Sequence, residues 1–162
     1  MNVVLMVISS RRAGPGFGRR PGRGSGSGGP AAELVQLYMN RAGRYLPCAL
    51  RTFSTEAGAL EFADGLKGRT RAALLLADSR GQTLSSEEFA STLGSLQDSG
   101  IQQLLLGIGP ADGWSAAARE RADRILSFGR ITLPHELAAV VAAEQIYRAL
   151  TIRAGHPYHD GH

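Results

Sequence analysis

Arg71-Ala72-Ala73-Leu74-Leu75-Leu76-Ala77 is apolar after its first residue and is closed by Asp78-Ser79-Arg80-Gly81. An apolar run of this length without alternation marks a strand buried on both faces, as in a parallel sheet covered by helices on each side. Working outward, Ile101 to Leu106 has the same character, and Val3 to Ile8, Pro47 to Phe53 and Arg124 to Phe128 are further strand candidates. Helical spacing separates them. Leu34, Leu37, Tyr38 and Arg41 lie on one face of a helix over Ala31 to Tyr45, and an Ala/Leu helix covers Glu56 to Leu66. Ser85-Ser86-Glu87-Glu88 fits a capping box with Ser85 as N-cap, opening a helix that runs to Ser99-Gly100. A short helix over Ser115 to Ala122 and a long one over Leu137 to Arg153 complete the series. Strands alternating with helices predict an α/β fold with a mostly parallel sheet.

The chain has 162 residues, within the usual range for a single domain, and 43% hydrophobic residues suffice for one core. No apolar run reaches the length of a membrane span, and the apolar opening Met1 to Ile8 lacks the basic start and small-residue cleavage site of a signal peptide. The expected compartment is the cytoplasm. Cys48 is the one cysteine, so an intrachain disulfide framework and a zinc ribbon are excluded.

The formal charge of +4 is local in origin. Arg11, Arg12, Arg19, Arg20 and Arg23 precede residue 30 with no acidic residue among them, whereas the rest of the chain carries 13 basic and 14 acidic residues. The segment Ser9 to Pro30 also holds eight glycines and three prolines, with Phe17 as its only large apolar side chain. Nothing there can offset the entropy of ordering, so a flexible loop at about 9–30 is expected. Two readings stay open: an arm that follows a phosphate backbone, or an expanded surface connection.

The last helix carries apolar residues on two sides. One stripe is Leu137, Val140, Val141, Glu144, Tyr147 and Arg148; another is Ala139, Ala143, Ile146 and Leu150. A helix apolar on two sides must be covered on two sides, which predicts the sheet beneath and a second subunit above. Glu144 and Arg148 stand at i,i+4 in the favourable order, either as a structural pair or as part of an interface or site.

Three loops follow buried strands, where ligands of open α/β sheets bind. They are Ala77 to Gly81, Gly107-Ile108-Gly109-Pro110-Ala111-Asp112-Gly113-Trp114-Ser115, and Gly129-Arg130-Ile131-Thr132-Leu133-Pro134. The second has neither the glycine spacing of a dinucleotide fingerprint nor the Gly-Lys-Ser/Thr of a phosphate-binding loop. Its glycines supply close backbone approach and exposed N–H groups.

Thr132-Leu133-Pro134-His135-Glu136-Leu137, then Ala143-Glu144-Gln145-Ile146-Tyr147-Arg148-Ala149, then His156-Pro157-Tyr158-His159 together resemble the ribosomal RNA large-subunit methyltransferase H family. Ile108 to Ser115 resembles that family's I-G-G-x-x-G-x-S, and Asp78 to Gly81 with Ser85-Ser86-Glu87-Glu88-Phe89-Ala90 resembles a further segment. The likeness is strong from about Leu74 to His159, fainter over Val3 to Ile8 and Leu34 to Tyr45, and lost in the Gly/Arg-rich loop. It implies the SPOUT fold, an α/β fold with a C-terminal trefoil knot, spanning residues 1–162 as one domain. It also implies a homodimer that transfers a methyl group from S-adenosylmethionine to N3 of a pseudouridine in 23S ribosomal RNA, on assembled ribosomes. By position, Ala77, Gly109, Pro110, Gly129, Arg130, Ile131, Thr132, Leu133 and Pro134 would line the cofactor pocket, largely through backbone groups, with Ile131 and Leu133 against the adenine. Three departures accompany the likeness: Pro110 replaces a glycine and deletes an N–H, Ala77 stands where relatives usually have Leu, and Asp160 replaces a basic residue.

Methyl transfer from a sulfonium needs an in-line approach and exclusion of water, while a uracil-like imide must also lose its proton. Candidate residues for that task are Glu144, His135, His156 and His159, with Arg148 stabilising the developing negative charge and Tyr158 contacting the nucleotide. The spacing of His156, His159 and His162 could suggest a metal, but no carboxylate or cysteine set surrounds them, and a metal-free site is expected. The alternative of another class is a non-catalytic knot-fold protein that binds RNA or the ribosome.

Overall fold

The protein is described by a computed structural model over residues 1–9 and 29–159. The expected Gly/Arg-rich loop therefore lies, between its two ends, outside the described residues, as does His162. The elements are β1 (Asn2–Ile8), α1 (Pro30–Ala42), β2 (Cys48–Phe53), α2 (Glu56–Lys67), β3 (Ala72–Thr83), α3 (Ser86–Asp98), β4 (Gln103–Ile108), α4 (Ala116–Arg121), β5 (Arg124–Ser127) and α5 (His135–Arg153), followed by a 3-10 turn at Pro157–His159. The strands form one sheet in the order β2-β1-β4-β3-β5, and neighbouring strands pair in parallel.

Alternation along the strands divides the core into two layers. Val3, Leu5, Ala73, Leu75, Leu104 and Leu106 pack with Val35 of α1, Leu93 of α3 and Ile146 of α5. Val4, Met6, Leu74, Leu76 and Leu105 pack with Leu60 of α2, with Ala118 of α4 and with Trp114 in the loop before α4. Leu74 to Leu76 and Leu104 to Leu106 are at most 1% exposed, and each such side chain contributes about 1.5–3 kcal/mol by its burial. This double burial is the reason these two segments read as continuous apolar runs.

Helix starts follow local hydrogen bonding. The capping box is present: the Glu88 N–H donates to Ser85 Oγ (3.1 Å) and the Ser85 N–H to Glu88 Oε2 (2.7 Å). Thr55 and Ser115 cap α2 and α4 by the side-chain bond alone, accepting the N–H of Gly58 and of Ala118. The long helix begins at His135, earlier than Leu137, because Pro134 occupies the N-cap and needs no N–H partner there. The first helix ends at Ala42, and Tyr45 belongs to the turn after it.

One strand departs from expectation. Asp78 to Gly81 lies within β3 rather than beyond it. Ala77 pairs with Leu126 of β5, the register then shifts, and Gln82 pairs with Leu126 again. Residues between these two pairings form an irregularity within the strand, where its register with β5 shifts. Gly81 permits it, since a Cβ there would lie 2.6 Å from backbone atoms of Ile125 and Leu126.

Candidate active site

At the carboxyl ends of β3, β4 and β5 lies a cavity of about 260 Å³. Of the sequence-expected cofactor residues, Ala77, Gly109, Pro110, Gly129, Ile131, Thr132 and Leu133 line it. Arg130 and Pro134 do not: both are exposed, and Pro134 caps α5. Ile131 is 81% exposed, the most open large apolar side chain among the described residues.

Behind the lining lies Trp114, which is 3% exposed. Its indole N–H donates to the Ala77 carbonyl (3.1 Å), tying the end of β3 to the loop after β4. A Cβ on Gly109 would stand 3.0 Å from that indole, and one on Gly107 2.8 Å. Glycine at 109 is thus required by packing beneath the loop as well as by access to its backbone. The Gly113 N–H donates to the Pro110 carbonyl (2.9 Å), closing a turn whose last residue has φ +85°, a conformation glycine adopts without strain.

Asp78 also lines this cavity, and the sequence reading missed it. Its side chain is 4% exposed, with Oδ2 lying 3.8 Å from Arg119 and 4.0 Å from Arg80, while Oδ1 accepts the Arg80 N–H (3.0 Å). The available signal was an acid placed immediately after a wholly apolar strand. Among the described residues, His135 is the sequence-designated candidate for proton transfer that borders the cavity.

A second group of side chains forms further along α5. Glu144 Oε1 accepts from Arg148 Nε (2.9 Å) and Nη2 (2.7 Å) and from the Tyr158 hydroxyl (3.1 Å), while Oε2 accepts from Gln145 Nε2 (2.7 Å). The Arg148 guanidinium lies over the Tyr158 ring, 5.0 Å from its centre, a cation–π arrangement. The Glu144 hydrogen bond and charge raise the Arg148 pKa further, outweighing an opposing desolvation. The Tyr158 hydroxyl pKa is pushed well above its usual value by burial first, then by the hydrogen bond with Tyr38 and the Glu144 charge. Tyr158 is consequently a neutral donor at physiological pH.

All four tyrosines of the chain meet here. Tyr147 lies 4.6 Å from Tyr158, 6.1 Å from Tyr38 and 6.2 Å from Tyr45, centre to centre. His156 stands edge-on to Tyr45, and its Nδ1 accepts the Tyr158 N–H (3.2 Å). The structure thus brings Glu144, Arg148, His156 and Tyr158 together. The His159 side chain lies outside the described residues. Glu144 lies nine positions after His135 on α5, about 13 Å of rise, so the cavity and this cluster occupy different stretches of one helix. Cys48 takes part in neither, and burial pushes its thiol up to about 11.

Among the described residues, no helix is long and apolar enough to cross a membrane. Comparison with known proteins matches residues 24–159 to the family described as "Predicted SPOUT methyltransferase". Ribosomal RNA large subunit methyltransferase H of Koribacter versatilis is 46% identical over 129 residues, covering 80% of this chain and 88% of that protein. The protein of the same name from Rhizobium meliloti is 41% identical, covering 98% and 99%. A solved structure of the SpoU methyltransferase AviRb from Streptomyces viridochromogenes, in complex with AdoMet, aligns with a TM-score of 0.48 at 13% identity, covering 96% of this chain and 58% of that longer one. On the sequence matches, the chain belongs to the SPOUT class of methyltransferases and, within it, to the ribosomal RNA large subunit methyltransferase H family.

Proposed function

We propose that the protein is an S-adenosylmethionine-dependent methyltransferase of 23S ribosomal RNA, acting on N3 of a pseudouridine in assembled ribosomes, in the cytoplasm, as a metal-free homodimer. The chain works as one α/β-knot domain, residues 1–162, with the Gly/Arg-rich loop at about 9–30. The observation that carries this reading is the cavity at the three strand ends. It combines backbone-lined glycine turns with apolar Ile131 and Leu133, a wall suited to an adenosine derivative. When bound, S-adenosylmethionine supplies an electrophilic methyl group on its sulfonium.

The chain supplies the rest. Arg148 places a permanent cation where the pyrimidine develops negative charge. Tyr158, whose one hydroxyl proton is given to Glu144, offers the nucleotide its ring face and the lone pairs of its hydroxyl oxygen. Glu144 has both oxygens engaged and serves to hold these two, so acceptance of the N3 proton passes to the tail histidines His156 and His159.

A second copy supports this reading in two ways. Leu34, Leu37 and Leu137 are 42–50% exposed on neighbouring helices α1 and α5, beside half-buried Val140 and Val141. Covering that face removes apolar surface from water. The separation of cavity and cluster along α5 also suits a site in which the tail of one subunit reaches the cavity of the other.

Calorimetry with S-adenosylmethionine, followed by mass mapping of methylated rRNA after incubation with unmethylated ribosomes, tests the proposal. Micromolar binding and one new methyl group on a pseudouridine are expected. Ribosome binding without methyl transfer would establish the non-catalytic alternative, and a monomer at tens of micromolar by light scattering would exclude the shared site.

A further inference from the structure

We infer that Gln145 is a positioning residue for methyl transfer: its amide, clamped by Ser86 at the start of α3, fixes the Glu144 carboxylate in the orientation that serves Arg148 and Tyr158 together. The inference rests on the reading of Arg148 and Tyr158 as the groups that act on the nucleotide.

The hydrogen bonds around Glu144 are unequal. Oε1 receives both Arg148 contacts and the Tyr158 hydroxyl, whereas Gln145 is the donor on Oε2. The terminal torsion of a glutamate is broad and nearly free, so bonds at one oxygen leave the carboxylate able to turn about them. The bond at the second oxygen sets its plane. Gln145 is fixed in turn, because Ser86 Oγ donates to Gln145 Oε1 (2.8 Å), which leaves the NH₂ group facing the carboxylate. The reversed amide would set two oxygens against each other. Ser86 is the first residue of α3, whose capping box uses Ser85 and Glu88 instead, so its hydroxyl is spared from helix capping. Gln145 also borders a second cavity of about 290 Å³, which shares Ser127 and Phe128 with the first. The amide thus stands between the side-chain cluster and the strand-end cavities.

Three variants test this. Gln145→Leu keeps much of the volume and removes the donor; kcat for ribosome methylation should fall roughly 10- to 100-fold, the usual cost of losing an orienting partner. Its affinity for S-adenosylmethionine by calorimetry should stay within about twofold. Ser86→Ala should shift kcat in the same direction by less. Gln145→Glu sets a second carboxylate beside Glu144, and the two cannot both ionise cheaply. Near pH 5.5 a shared proton restores the donor, so the ratio of variant to wild-type activity should rise as pH falls from about 9. A merely structural link between α3 and α5 would lower the melting temperature and leave that ratio flat. A flat ratio, or a wild-type kcat in Gln145→Leu, overturns the inference. If Arg148→Ala and Tyr158→Phe themselves leave kcat unchanged, the reading beneath it fails as well.

Discussion

The two ends of α5 serve sites built in opposite ways. Near His135 the cavity is made of turns, with glycines, a proline and backbone groups held from below by Trp114. Around Glu144 the cluster is made of side chains, with one carboxylate receiving four contacts from three residues. A backbone-built wall should tolerate a change of side chain wherever its turns survive, whereas a side-chain cluster should not tolerate its members changing class.

Removing the tail breaks this contrast most sharply. Truncation after Gly155 deletes His156, Tyr158 and His159 and spares the cavity; methyl transfer should fall by roughly 10²–10⁴-fold, with cofactor affinity retained within a few-fold by calorimetry. Next in size is Gly81→Ala. Its Cβ meets backbone of β5 at 2.6 Å, and such overpacking costs about 1–3 kcal/mol, measurable by urea unfolding, with weaker cofactor binding because β5 carries the third loop. Pro110→Gly restores an N–H to the second loop and should leave cofactor affinity unchanged or a few-fold tighter; a large loss would show that proline is needed for the turn.

The smallest effect is spectroscopic. Because burial and Glu144 raise the Tyr158 pKa, one phenol should ionise later than the others in an alkaline absorbance titration, and Tyr158→Phe should abolish that late step. A raised pKa in the folded state means that the fold loses stability as pH climbs above the ordinary tyrosine value of about 10. Tyr158→Phe should therefore flatten that alkaline decline.

Strand and helix positions were legible because Leu74 to Leu76 and Leu104 to Leu106 are buried on both faces, leaving no polar alternation to confuse the period. The capping box was equally legible, being a contact between near neighbours in sequence. The double pairing of β3 with Leu126 was not, since Asp78-Ser79-Arg80-Gly81 has the composition of an ordinary turn and its place within the strand depends on β5, far along the chain. The same holds for Asp78, whose burial is balanced by Arg119 from another element, and for the tyrosine group, whose members are scattered from residue 38 to residue 158. Local chemistry writes itself into adjacent residues. Contacts made across the fold leave no such mark.

Trp114 has an optical consequence. It is the chain's only tryptophan, so indole emission from this protein has a single origin, beneath Gly109 and bonded to the Ala77 carbonyl. An occupant that shifts Ala77 or Gly109, which line the cavity and touch the indole, would alter the surroundings of that one fluorophore. The untagged protein thus carries its own reporter, and quenching or a spectral shift during a titration would follow cavity occupancy in real time, without a label and with no second indole to dilute the signal.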